Sequence, residues 1–169
     1  MEIFSTERLI LREFTAADAP FILRLLNEPS WLRYIGDRGV RTLADAGAYV
    51  AKGPAASYAR HGFGLWLVSR RADVAPLGMC GLLKRDTLDD VDVGYAFLPE
   101  FCGQGYAREA VAATLAHGRR VFGLKRIVAI TAPDNESSIR LLEQLGFRFE
   151  RLIAAAPNLP ASKLFASES

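Results

Sequence analysis

Between Val91 and Phe122 the chain changes its hydrophobic period once, and that change constrains the fold more than any other stretch. Val93, Tyr95 and Phe97 alternate with Asp92, Gly94 and Ala96, the period of two that marks a strand. Pro99 has no N–H to give to a ladder, so the strand stops about there. Gly103 and Gly105 then bracket Gln104 in a tight turn. From Tyr106 onward, Ala107, Val111, Leu115, Gly118 and Phe122 recur at helical spacing, with Arg108, Glu109, Arg119 and Arg120 off that stripe. The order is strand, glycine turn, helix.

That order has a chemical use. The first turn of a helix carries unbonded N–H groups and the positive end of the macrodipole. Glycines without Cβ let a large anion approach those groups, so the turn is a ready cradle for a pyrophosphate. On two glycines alone, a plain tight loop before a helix is the better account. A Walker loop requires Lys and then Ser or Thr after its last glycine, where this chain has Tyr106 and Ala107. A dinucleotide fingerprint requires three glycines early in a βαβ unit, and here there are two, deep in the chain.

The rest of the chain fits one α/β domain spanning residues 1–169, large enough for a real core, with half of its residues apolar. Residues 7–14 alternate as a strand. Thr15 caps a helix running to about Asn27, with Asp18 in the third position, and Pro29 closes it. Residues 31–36 form an apolar loop. Thr42, with Asp45 three positions on, starts a second helix that ends near Gly62. Residues 63–70, 77–84 and 91–98 follow as antiparallel strands joined by short polar turns. After the glycine turn and its helix, residues 126–132 suit a buried strand. Asn135 caps a helix over 136–145, with Gly146 at its C-terminus. Two more strands close the chain around a turn at 157–160. The sum is a mixed sheet, mostly antiparallel, with helices on both faces.

The words CGQGYA at 102–107 and REA after it resemble the acetyl-CoA pyrophosphate loop of the GNAT superfamily of N-acetyltransferases. That family's pattern is Gln/Arg-x-x-Gly-x-Gly/Ala, whose glycine falls on Gly105 and whose last position falls on Ala107. GYAFLPEFCGQGYAREA, NESSIRLLEQLGF and the opening TERLILREFTAADAP resemble the branch that holds the ribosomal-protein Nα-acetyltransferases, and the likeness spans nearly the whole chain. It implies acetyl-CoA as cosubstrate, with phosphates on the amides of Cys102, Gly103, Gln104, Gly105, Tyr106 and Ala107. Cys102 departs from the family's Trp, Gln or Arg, a small change where binding runs through backbone donors. The resemblance also implies a splayed slot for the pantetheine arm between residues 95–98, including Phe97 and Leu98, and residues 129–131. Asn135 would hydrogen-bond that arm as well as cap its helix.

Acetyl transfer from a thioester to an amine needs a neutral amine, a stabilised carbonyl oxygen and a stabilised or protonated thiolate. Holding the two reactants together supplies much of the rate. No nucleophile is required, and no Ser-His-Asp or Cys-His arrangement is present. By the resemblance, Ser138 stands near the thioester sulfur and can donate to it, with Ser137 beside it and water as the alternative. Many relatives carry a tyrosine acid where this chain has Leu142. Asp92 is the candidate base, with Glu100 the alternate; the competing reading makes Asp89, Asp90 and Asp92 a solvated acidic turn. Trp31 and Tyr34 fall where the family builds its acceptor pocket, and core packing explains them too.

Glu109 reads as a brace for the helix start, His117 as a helix-surface residue, Cys80 as core and Cys102 as a loop filler. A net charge of +2 gives no footprint for nucleic acid or an anionic membrane. Two cysteines without metal-site spacing, two histidines and no long apolar run point to a cytoplasmic chain without a metal. The expected partner is an amine acceptor, a protein N-terminus or a small molecule, met by a monomer or homodimer. A module that keeps the fold and binds acetyl-CoA without turnover is the alternative function.

Overall fold

The structure is a computed structural model that describes residues 1–157 and 159–169; Asn158, within the expected 157–160 turn, lies outside them. Its strands are β1 (Glu2–Ser5), β2 (Leu9–Arg12), β3 (Leu65–Arg70), β4 (Pro76–Leu83), β5 (Asp92–Phe97), β6 (Arg126–Thr131), β7 (Arg148–Ile153) and β8 (Ser162–Glu168). The α-helices are α1 (Ala19–Leu25), α2 (Pro29–Tyr34), α3 (Leu43–Val50), α4 (Ala56–His61), α5 (Tyr106–Phe122) and α6 (Glu136–Gln144).

The Thr42 signal acts as the sequence implies, while Thr15 heads a short 3-10 turn, Ala16–Asp18, that leads into α1. Thr15 N–H donates to Asp18 Oδ2 at 2.8 Å ahead of α1. At α3, Thr42 Oγ1 accepts from Asp45 N–H at 3.0 Å while Asp45 Oδ2 accepts from Thr42 N–H at 3.1 Å, a complete capping box. Three elements differ from expectation. β1 precedes the expected first strand, pairing with β2. The stretch expected as an apolar loop is α2, because Pro29 opens a helix at its first position instead of closing the one before. The expected helix from Thr42 is α3 and α4 joined by a π-helical turn, Ala51–Ala55, around Pro54. A proline ring clashes with the carbonyl four residues back, and the wider turn relieves it.

The strands form one sheet in the order β1-β2-β3-β4-β5-β6-β8-β7. Alternation sends one set of side chains to each face. Trp66, Val68, Cys80, Leu82 and Val93 pack with Ala110, Val111 and Leu115 of α5 and Leu142 of α6. Leu67, Met79 and Leu98 point the other way and meet Ile22, Leu25, Trp31, Ala46 and Val50. Each of these fully buried aliphatic side chains stabilises the sandwich by ~2 kcal/mol.

One junction departs from regular pairing. β5 and β6 run parallel and meet in register only at Asp92 and Val128, next to a bond from Val128 N–H to Val91 O at 2.9 Å. Every other neighbouring pair is antiparallel. Beyond that rung β5 and β6 separate, and a cleft opens between them.

Candidate active site

The glycine turn sits at one end of this cleft. Gly103 and Gly105 adopt φ of +78° and +82°, left-handed values that a side chain disfavours. A Cβ on Gly105 would also lie 3.3 Å from Arg8 Nη2. Cys102 N–H is already donated to Pro99 O at 3.2 Å, and Glu109 N–H to Gly105 O at 3.1 Å. Among the described residues the amides between them, Gly103 through Arg108, have no acceptor within the protein. They form a run of six donors at the positive end of a 17-residue helix.

Glu109 fixes the turn from behind. Its Oε1 accepts from Thr6 Oγ1 at 2.6 Å and from Arg8 N–H at 2.9 Å, and its Oε2 from Arg8 Nε at 2.7 Å. Burial alone would raise its pKa, but those three donors bring it below the usual carboxylate range. Arg8 Nη1 also donates to Gln104 O at 2.9 Å, and its guanidinium lies 4.5 Å above the ring of Tyr106. The bracing role of Glu109 is therefore real, and Thr6 and Arg8 join it. Their part was invisible in sequence because the contacts span about a hundred residues.

The cleft has a volume of about 400 Å³. Tyr95, Ala96 and Phe97 line one wall; Ile130, Thr131 and Ala132 line the other. The slot differs from expectation: the β5 wall loses Leu98 and extends back to Asp92, and the β6 wall begins at Ile130 instead of Ala129. Leu98 is 1% exposed, packs in the opposite core and spends its N–H on Leu77 O at 2.9 Å, so it does not face the cleft. Ala129 is likewise core. Of the glycine-turn residues, Cys102 and Ala107 reach the cleft, whereas Tyr106 is buried beneath Arg8. The Cys102 thiol is pushed up by burial and then by Glu100, the reverse of what a reactive thiolate needs.

Asp92 lies at the apex, where β5 and β6 still touch. It is 1% exposed, which overturns the reading of a solvated acidic turn for this residue. Arg85 Nε reaches both carboxylate oxygens, at 3.2 and 3.3 Å. Burial raises the pKa to about 6 against the pull of Arg85. Glu100 is exposed and held by Arg24 at 2.7 Å, which keeps its pKa low and makes it a poor base.

Asn135 is the cap the sequence implies: its Oδ1 accepts from Ser138 N–H at 3.3 Å. Its Nδ2 has no acceptor among the described residues, and the side chain lines the cleft. Ser138 Oγ faces the same space and lies 2.5 Å from the hydroxyl of Tyr95. Ser137 lines the cleft beside it. Thr131 Oγ1 is buried beside the cleft without a partner among the described residues. Leu142 is wholly buried in the core, so the helix position where relatives carry tyrosine points away from the chemistry. Tyr95 brings a phenol to the site from the strand instead.

Trp31 and Tyr34, placed by α2, line the far end together with Ile35, Tyr49, Leu65 and Leu83. Trp31 Nε1 donates to Gly36 O at 3.1 Å, which fixes its ring in the wall. Of the charges here, Glu28 pairs with Arg24 at 3.5 Å and Asp92 with Arg85, while Arg38 has no partner among the described residues. His117, expected on the helix surface, is 9% exposed and stacks on Phe4 at 4.8 Å, with Trp66 and Phe122 edge-on. It plays no part in the cleft.

Comparison with known proteins agrees with this geometry. The acetyltransferase (GNAT) domain family matches residues 8–148. The N-acetyltransferase YoaA of Bacillus subtilis is 29% identical over 154 residues, covering 89% of this chain and 85% of that protein. A GNAT-family acetyltransferase from Bacillus anthracis superposes with a TM-score of 0.80 at 26% identity, covering 99% and 98% of the two chains. RimL, the ribosomal L7/L12 alpha-N-protein acetyltransferase solved with coenzyme A, has the same fold, with a TM-score of 0.84 at 18% identity and coverage of 99% and 98%.

Proposed function

This chain belongs to the GNAT acetyltransferase family, and on that premise we propose that it carries an acetyl group from acetyl-CoA to a primary amine by direct attack, both substrates being bound together. The observation that carries the reading is the run of amides at Gly103–Arg108, unbonded among the described residues, at the end of a cleft with a buried carboxylate at its apex. Six unbonded N–H groups in a turn opened by two left-handed glycines suit a diphosphate, and the RimL structure holds coenzyme A. Asn135 Nδ2, without an acceptor among the described residues, is a donor for an arm lying between β5 and β6.

In this reading Asp92 takes a proton from the attacking amine, directly or through one water. A base that titrates at about 6 is ionised at neutral pH and still accepts a proton readily. The amine nitrogen attacks the thioester carbon, the C–S bond breaks, and its electron pair leaves on sulfur. Ser138 faces that sulfur and donates to it. The cleft wall excludes water from the reacting atoms and holds them in register.

The acceptor end is apolar and aromatic, and both of its carboxylates are already held by arginines. A polyamine would find no unengaged anion there. An amine on an apolar body, including a protein N-terminus, fits better, and Arg38 can meet a carboxylate on it. Thiol release from acetyl-CoA across a panel of amines tests the proposal. Turnover with aromatic amines or N-terminal peptides is expected; acetyl-CoA binding with no turnover on any amine would leave a sensor module instead.

A further inference from the structure

Ser138 carries the leaving-group step in the reading above, yet a serine hydroxyl is a weak donor with a freely rotating hydrogen. A neighbouring phenol directs it. Tyr95 projects from β5 toward α6, and its hydroxyl meets Ser138 Oγ at 2.5 Å. Each oxygen is the other's sole side-chain partner among the described residues, and both line the cleft. The serine backbone is fixed as well, because Ser138 N–H is donated to the Asn135 cap.

A phenol is by far the stronger acid of the two, so within this pair Tyr95 is the donor and Ser138 Oγ the acceptor. The serine's own hydrogen is thereby left to point elsewhere, and the open direction is the cleft. We propose that Tyr95 is a positioning residue for acetyl transfer, donating to Ser138 Oγ so that the serine hydroxyl is polarised and aimed at the sulfur that leaves. This rests on the reading of Ser138 given under the proposed function.

The pair stabilises the thiolate without giving up a proton. Burial pushes the Tyr95 phenol up to about 12, while a thiol titrates near ~8.5. Transfer from Tyr95 through Ser138 to sulfur would therefore run uphill. As the C–S bond breaks, its electrons stay on sulfur, the Ser138 hydrogen bond shortens, and Tyr95 strengthens that bond by polarising its donor. The amine's proton leaves through Asp92 to solvent, and solvent protonates the free thiolate after release. Atoms and charge balance without a change in the ionisation of Tyr95.

The test reads the thiol of bound coenzyme A directly, by its ultraviolet thiolate absorbance against pH, in the wild type, Tyr95→Phe, Ser138→Ala and the double variant. Calorimetry with coenzyme A runs beside it. The bound thiol is expected to titrate lower in the wild type than in either single variant by about one pH unit, roughly a ten-fold change in thiolate fraction. Affinity for acetyl-CoA should stay within about two-fold, and turnover of Tyr95→Phe should fall about ten-fold in kcat with KM little changed. The double variant should match Ser138→Ala alone, since Tyr95 acts through Ser138. Equal thiol titration in wild type and Tyr95→Phe, additive losses, or loss of coenzyme binding in Tyr95→Phe would each overturn the proposal. Ser138→Thr keeps the hydroxyl and should show the lower titration of the wild type. Failure of the wild type to bind coenzyme A would overturn the parent reading first; binding with an unaltered titration overturns this one alone.

Discussion

Replacing Asp92 with Asn separates what this carboxylate does for the fold from what it does for the chemistry. Burial holds its pKa at about 6, against 3.8 for an ordinary aspartate. The folded protein therefore binds a proton more tightly than the unfolded chain does, and folding stability falls as pH rises between those values. At ~1.4 kcal/mol per pH unit, the ionised side chain costs about 3 kcal/mol above pH 6. Below about pH 4 the cost vanishes, because both states are protonated. Asn matches the shape and carries no charge, so the variant should be more stable than the wild type at pH 8 by up to ~3 kcal/mol, less whatever Arg85 loses. For a domain of this size that is several degrees in Tm. At pH 5 the difference should shrink to roughly half of its value at pH 8. Urea titrations at both pH values measure this. Thiol release should meanwhile fall by about 100-fold, and the acidic limb of the wild-type rate profile, centred near 6, should disappear. A variant that is less stable at pH 8 than at pH 5, relative to wild type, would show that Asp92 is a structural partner of Arg85 with a depressed pKa. Unchanged turnover would remove it from the chemistry.

Gly105→Val forces a branched side chain into the left-handed region beside Arg8, and should weaken acetyl-CoA binding at least ~10-fold by calorimetry; unchanged affinity would count against the amide cradle. Glu109→Gln removes the charge that gathers Thr6 and Arg8, and should lower stability by ~1–2 kcal/mol in urea while loosening coenzyme binding. Trp31→Ala should raise KM for an aromatic amine about ten-fold or more and leave KM for acetyl-CoA unchanged. Spermidine should be a poorer acceptor than an aromatic monoamine bearing a carboxylate, and Arg38→Ala should narrow that gap.

What could be read from the sequence was local. The strand, turn and helix from Asp92 to Phe122 are written in a change of period and two left-handed glycines, and both capping boxes in pairs three residues apart. β1 escaped because it is four residues long and half-exposed, with no alternation to detect. α2 escaped because Pro29 stops one helix as readily as it starts another, and the choice is made by Trp31 packing into the core. The site divides along the same line. The glycine turn depends on its own backbone, so it was legible. Tyr95 and Ser138 stand 43 residues apart and meet only once the register of β5 and the docking of α6 are set. His117 sits among arginines in the sequence, and only the stacking of Phe4 from β1 shows that its ring faces inward.

The single rung between Asp92 and Val128 also bears on how the protein behaves when its cosubstrate is scarce. Past that rung, two strands in the middle of the sheet face each other without pairing, an open seam of the kind that another chain can zip onto. An elongated guest carrying its own amides would close the seam from within. Starved of such a guest, the molecule should be more prone to self-association and to proteolytic nicking near the fork, so the coenzyme level of the cell would govern how long the protein lasts as well as how fast it works.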